Sequence, residues 1–295
     1  MIIRSGLAAI CKPAGLSSFA ALGPLKRSLN CSKLGHTGTL DPFATGLLVV
    51  LVGPYSHLAP IFSTLDKRYR ATLRLGVETD TLDPEGRVVE ELPPPSREAF
   101  EAALEQFRGP ILQRPPAYSA LHVDGKRAYE RARAGEEVEL PVRPVTIYEL
   151  ALESFETDSA VISMRCSSGT YVRSLARDLA RAAGSCASLA ALERGSIGPF
   201  TLETAVRPED FDPERDLKRL DPGLAAALGL RAARLPDSAF RSFQNGGVVG
   251  SAALEELFPR SGCPTAVFDS KGDFIGLVDA SGERLVYQFV VRKET

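Results

Sequence analysis

Six apolar residues in a row, Leu47 to Val52, follow directly on a loop rich in glycine and threonine, and this run constrains the fold more than any other feature. A strand with one face in water alternates apolar and polar residues, whereas an unbroken run of this length reads as a strand buried on both faces. The chain must therefore supply cover for both sides of a sheet. Its 295 residues, 44% of them hydrophobic, are enough to do so. At roughly 150 residues per domain, the length suggests one large domain and a small one.

Other segments fill in the plan. Before the buried run lie a short strand through Ile10, a KPAGLSS loop and a helix opening at Ser17 or Ser18. From Lys67 to Leu75 the residues alternate: Tyr69, Ala71, Leu73 and Leu75 share one face, and Arg68, Arg70, Thr72 and Arg74 the other, which predicts a strand with a basic face. Ser96 caps an expected helix to about Phe107, and Gly125 to Arg133 reads as a helix stopped by Gly135. Ser159 to Cys166 reads as a strand, and Ser168-Gly169-Thr170 as the opening of a helix with Val172, Leu175, Ala176 and Leu179 on one face. Residues 206–222, rich in Pro, Asp and Glu, form a connector, and from Cys263 short apolar runs between turn signals predict antiparallel strands. The expected division is 1–232 and 233–295.

The net charge of -2 is unevenly spread: residues 1–75 carry +7 and the remainder -9. A basic segment suits contact with RNA phosphates, although by itself it also suits a plain solvated surface. Five cysteines form no CxxC pair and three histidines no HxxxH, so neither a zinc site nor a disulfide framework is indicated. No apolar run approaches the roughly 20 residues that span a bilayer, and the first residues lack a signal-peptide pattern, so a cytoplasmic location is expected.

Chemistry is concentrated in Gly35–Gly46, GHTGTLDPFATG, where three glycines and three threonines surround His36 and Asp41. Small residues let another molecule approach the backbone closely. An Asp-Pro pair is by itself most often a turn. Gly125-Lys126 is followed by Arg127 rather than Ser or Thr, and GxGxxG is absent, which removes the main support for nucleotide hydrolysis or dinucleotide binding.

This stretch closely resembles a motif of the TruB family of tRNA pseudouridine synthases, and further blocks follow in that family's order. Lys12-Pro13-Ala14-Gly15 resembles its first motif. Lys67-Arg68-Tyr69, with Leu75-Gly76 and Thr79-Asp80-Thr81, resembles its substrate-facing strand and loop. QRPPAYSALHVDG (Gln113–Gly125) and CSSGTYVRSLARDL (Cys166–Leu179) resemble two more.

The resemblance implies an α+β pseudouridine synthase fold, with a mixed, largely antiparallel sheet flanked by helices, and a small C-terminal PUA-like RNA-binding barrel. It implies isomerisation of uridine-55 in the TΨC loop of tRNA, without cofactor or metal, by a monomer that needs no protein partner or membrane. Asp41 would be the catalytic carboxylate, adding to the ribose at C1' or removing a ribose proton. Arg173 would orient it through a forked ion pair. Tyr69 would contact the extruded base, with a part in proton transfer at C5; Tyr171 and Leu192, both of which pass as helix core on pattern alone, would line the pocket. His36 would support the flipped nucleotide, and Lys12 would bind substrate. The sequence departs from the family at Pro54-Tyr55-Ser56-His57, Leu121 and Glu193, near the expected RNA surface. Glycoside hydrolysis would need a second carboxylate across the scissile bond, which the Asp41 motif does not supply.

Overall fold

The computed structural model describes residues 5–119, 122–123, 126–127, 131, 136, 140–259 and 264–291. Its strands in chain order are β1 (Gly6–Lys12), β2 (Leu34–His36), β3 (Thr45–Val52), β4 (Lys67–Leu75), β5 (Val77–Thr79), β6 (Val88–Glu91), β7 (Gly109–Gln113), β8 (His122–Val123), β9 (Lys126–Arg127), β10 (Arg143–Phe155), β11 (Ser159–Cys166), β12 (Ala187–Ile197) and β13 (Phe200–Thr201). Then follow β14 (Arg231–Arg234), β15 (Glu255–Phe258), β16 (Thr265–Phe268), β17 (Phe274–Asp279) and β18 (Val286–Val290). The helices used below are α1 (Gly23–Leu29), α2 (Ala59–Thr64), α3 (Arg97–Gln106) and α4 (Val172–Ala182).

A nine-stranded sheet runs β1-β3-β12-β4-β11-β10-β7, with β2 on β3 and β13 on β12. All its pairings are antiparallel except β3 with β12, so the sheet is mixed. The apolar run is covered on both sides: Leu47, Val49 and Leu51 enter one hydrophobic cluster with Phe62 of α2, and Leu48, Val50 and Val52 enter another with Leu25 and Leu29 of α1. All six are fully buried, each worth roughly 1.5–3 kcal/mol of apolar transfer. A third cluster packs α3 and α4 against Ala71, Leu73 and Leu75 of β4 and Leu189 and Leu192 of β12.

The connector after β13 lies along β1. Leu7 and Lys218 exchange both backbone hydrogen bonds at 2.8 Å, and Cys11 donates to Val206 O at 2.8 Å, which protects a sheet edge that would otherwise invite pairing.

Several elements differ from expectation. The chain after Ser18 first makes a 3-10 turn, Ala20–Leu22, before α1. Lys126 and Arg127 pair with Val123 and His122 as a two-residue hairpin where a helix was expected, and the rest of that expected helix lies almost wholly outside the described residues. Helix α4 begins at Val172, because Ser167 and Thr146 exchange hydrogen bonds that hold the preceding residues in a turn. Leu192 sits on a strand rather than a helix.

The C-terminal strands form an open sheet in the order β15-β14-β16-β17-β18 among the described residues, so the expected barrel is not seen to close. This sheet begins at Arg231, inside the expected first domain. It packs onto the first sheet through the Pro54–His57 segment. Tyr55 is 2% exposed, its hydroxyl accepts from Leu220 N at 3.2 Å, and its ring meets Phe274 edge-on at 5.5 Å. His57 stacks on Phe289 at 5.1 Å.

Candidate active site

Asp41 lies in the loop between β2 and β3, and this loop is fixed before the carboxylate meets any partner. Thr37 N donates to Val49 O at 3.0 Å, and Ala44 N donates to Asp41 O at 3.1 Å. The Ser18 hydroxyl donates to Leu40 O at 3.0 Å and accepts from Leu40 N at 2.8 Å. Lys12 is wholly buried and donates to Pro13 O (2.8 Å), Leu16 O (2.7 Å) and Pro42 O (3.2 Å). An ammonium has three N–H bonds, so none is left for a phosphate. Lys12, expected to bind substrate, instead clamps the KPAGL loop to the Asp41 loop. Burial pulls its pKa down, and the Asp41 charge opposes that.

Arg173, the second residue of α4, reaches Asp41 from the other side of the sequence gap. Its Nη2 donates to Asp41 Oδ1 at 3.2 Å, and its Nε lies 3.0 Å from Oδ2 as an ion-pair contact, so guanidinium and carboxylate face each other as a fork. Nη2 also donates to Tyr118 O at 2.9 Å, and Nη1 donates to Thr81 O at 2.8 Å and Asp83 Oδ2 at 3.1 Å. All four Nη N–H bonds are thus engaged, which fixes the plane of the guanidinium. Asp83 is itself held, since its Oδ1 accepts from Thr81 Oγ1 at 2.5 Å and Glu85 N at 3.0 Å. The tetrapeptide Thr-Leu-Asp-Pro occurs twice, at 39–42 and 81–84, and both of its aspartates converge on Arg173.

The two carboxylates differ in access. Asp41 keeps 33% of its side-chain surface open and Asp83 only 5%. Burial raises the Asp41 pKa, Arg173 and Lys12 pull it back, and Asp83 adds to the rise. Asp41 is therefore the one free to act. Asp83 is saturated behind Arg173 and cannot serve as an opposing acid, which removes two-carboxylate glycoside hydrolysis.

Aromatic residues stand beside it. Tyr69 and Tyr171 both feel the Asp41 charge, and burial raises the pKa of each phenol. Tyr171 precedes α4, and buried Gln113 grips its backbone on both sides: Gln113 Oε1 accepts from Tyr171 N at 2.8 Å, and Nε2 donates to Tyr171 O at 3.1 Å. Leu192 is 6% exposed, within the α4 cluster. His36 ends β2; burial and then the Arg194 charge depress its pKa, so it is neutral at pH 7, and its buried Nδ1 has no hydrogen-bond partner.

Arg194 is the residue that sequence reasoning passed over. It lies opposite Tyr69 across β12 and β4, is 1% exposed, and donates to Leu47 O at 2.8 Å and Gly38 O at 3.0 Å, while its charge opposes the rise that burial imposes on the Tyr69 phenol. It thereby ties β12, at the position facing Tyr69, to the catalytic loop. Gly46 lets this strand approach: a Cβ there would lie 2.5 Å from Arg194 O, and its φ is +108°. Asp83, Gln113 and Arg194 were all missed, and the repeated Thr-Leu-Asp-Pro was the available signal for Asp83. Glu193 is exposed on the opposite side of β12 from Leu192 and Arg194, and Leu121 is outside the described residues. The basic face of β4 is largely matched by acids: Glu149 receives Arg68 at 2.6 and 2.9 Å and Arg165 at 2.9 Å, and Glu153 receives Arg70 at 2.7 Å.

Comparison with known proteins adds an independent view. A family model described as TruB family pseudouridylate synthase (N terminal domain) matches residues 26–172. The chain is 40% identical to tRNA pseudouridine synthase B of Corynebacterium aurimucosum, over 99% of this chain and 98% of that protein. It is 41% identical to the protein of the same name from Aromatoleum aromaticum, over 95% and 90%. With the Treponema denticola protein of that name, the 45% identity spans 66% of this chain and 60% of the relative. Among solved structures, a chain from "Crystal Structure of a Cbf5-Nop10-Gar1 Complex" superposes with TM-score 0.70 at 22% identity, covering 98% of this chain and 86% of that one. A chain from an H/ACA RNP bound to a substrate RNA containing 2'-deoxyuridine gives 0.69 at 19%, with the same coverage. These two likenesses establish the fold.

Proposed function

This chain belongs to the TruB family of pseudouridylate synthases, and from that membership we propose that it isomerises uridine to pseudouridine in tRNA, at position 55 of the TΨC loop. The observation that carries the reading is the half-open Asp41 carboxylate, gripped on its inner side by the Arg173 fork with Tyr69 and Tyr171 beside it. The reaction breaks the N1 glycosidic bond, turns the uracil within the pocket and rejoins it through C5. To reach C1', the nucleotide must leave the RNA stack and have that stacking replaced by protein surfaces. Tyr69, Tyr171 and Leu192 supply those surfaces, and His36, neutral and with an unmatched Nδ1, supports the extruded nucleotide. Asp41 acts on the ribose, at C1' as nucleophile or on a ribose proton as base, and both routes use its ionised form. Arg173 is a positioning residue that holds the carboxylate at a fixed angle. Tyr69 faces the base and takes part in the proton transfer at C5.

Around this centre the open C-terminal sheet acts as a PUA-like RNA-binding domain, beginning at Arg231 rather than at the expected 233. The protein works on the tRNA T-arm as a cytoplasmic monomer without a protein partner; no helix among the described residues is long and apolar enough to cross a membrane. Release of tritium from C5-labelled uridine in a tRNA transcript tests reaction and position together. Release should occur from the normal transcript, cease when another base replaces uridine-55, and cease with Asp41→Asn while tRNA binding persists. Equal turnover by wild type and Asp41→Asn would overturn the assignment.

A further inference from the structure

A large aromatic side chain stands in water beside the catalytic loop. Phe19 is 66% exposed, the most exposed aromatic among the described residues. One side of its ring is covered by the Lys26 ammonium, 3.9 Å from the centroid. A cation held over a ring leaves the other face free for a flat partner, and the pair is attractive to a group that is both aromatic and anionic. Leu16, 37% exposed, extends the apolar surface.

Two further features bear on the occupant. The local sequence is basic: Asp41 is the first acidic residue in the chain, and the preceding forty residues contain Arg4, Lys12, Lys26, Arg27 and Lys33, while Glu209 and Asp210 sit on the turn Pro208–Asp210 that packs against α1. Lys26, Arg27 and Lys33 have no carboxylate partner among the described residues, in contrast to Arg68 and Arg70 on β4. Position matters as well. Ser18, next to Phe19, is the residue whose hydroxyl holds Leu40 on both backbone atoms, and Gly15 N donates to Pro42 O at 2.8 Å. The Phe19 segment and the Asp41 loop therefore move as one piece.

We propose that Phe19 and Lys26 form a stacking platform for an unpaired RNA nucleotide next to the one being modified, with Lys26, Arg27 and Lys33 meeting the adjoining phosphates. This rests on the RNA-modifying reading above and deepens it by placing the strand's path. Stacking on an aromatic tolerates any base, so the platform contributes affinity and register rather than sequence choice.

The chain contains no tryptophan, so Phe19→Trp introduces a single tryptophan, selectively excited at wavelengths beyond tyrosine absorption, at the platform. Its emission should be quenched on titration with a T-arm hairpin transcript. Phe19→Ala should raise Kd for that hairpin roughly tenfold, and Lys26→Gln should flatten the slope of log Kobs against log salt by about 0.7. Unquenched emission together with an unchanged Kd for Phe19→Ala would overturn the platform. Tritium release by wild type on the same transcript separates the two readings: release without quenching sinks only the platform, and quenching without release sinks the modification while leaving an RNA surface.

Discussion

At the scale of single residues, the site depends on cations whose donors are spent. Arg173→Lys keeps the charge but loses the fork and most of the guanidinium hydrogen bonds, so a fall of about a hundredfold in single-turnover rate with little change in tRNA affinity is expected. Rapid-quench measurement at saturating tRNA checks it. Arg194→Met strands the carbonyls of Leu47 and Gly38, which should cost roughly 2–4 kcal/mol in urea unfolding. An unchanged urea midpoint would show that Arg194 does not hold the loop. The raised pKa of Asp41 has a sign that can be followed. A carboxyl that binds its proton more tightly when folded adds stability below the usual 3.8 and loses it as pH rises through the folded value. The chemistry runs the other way, since the rate should fall as pH drops through that same value, with the acid limb of the single-turnover profile centred above 3.8. Asp41 and Arg173 could be paired in advance only through the family resemblance, because 132 positions separate them and no spacing rule links them. Neither Asp83 nor Arg194 was singled out, because their roles rest on partners distant in the chain.

At the scale of elements, the join between β3 and β12 decides whether the pocket exists. Gly46→Ala would push a methyl into the Arg194 backbone at a positive φ, and a loss of about 3–5 kcal/mol is expected, together with reduced turnover. Wild-type stability in thermal unfolding would refute the close approach. Strands β3, β4 and β11 were legible because burial imposes its period directly on their residues. Strand β12 was not: Ala-Ser-Leu-Ala-Ala-Leu-Glu-Arg is composed largely of helix formers, and pairing on both edges with β3 and β4 overrides that local preference. The basic face of β4 was legible as a pattern but not in its use. Its acidic partners come from β10, two strands away and about eighty residues later.

At the scale of the molecule, the two sheets share one apolar cluster that runs from Leu47 and Val49 through Tyr55 to Ala266, Phe268 and Phe274. They should therefore unfold in a single calorimetric transition. Tyr55→Phe removes one hydrogen bond, worth about 1 kcal/mol, whereas Tyr55→Ala leaves a cavity and should lower stability by about 3–5 kcal/mol. Two separate transitions in the wild type would show that the sheets are independent. A segment that reads as a departure at an RNA surface is thus a joint between the two sheets, which no local pattern could reveal. The sheet order has one more consequence, which concerns time rather than space. Strand β12, last of the path strands to be synthesised, lies between β3 and β4, so in the sheet path it is the strand that joins the edge carrying Asp41 to the part carrying Tyr69. A nascent chain that has already delivered Asp41, Tyr69 and Arg173 still lacks the strand that unites them. Catalytic competence is therefore expected only once residues 187–197 have slotted into the gap, late in synthesis.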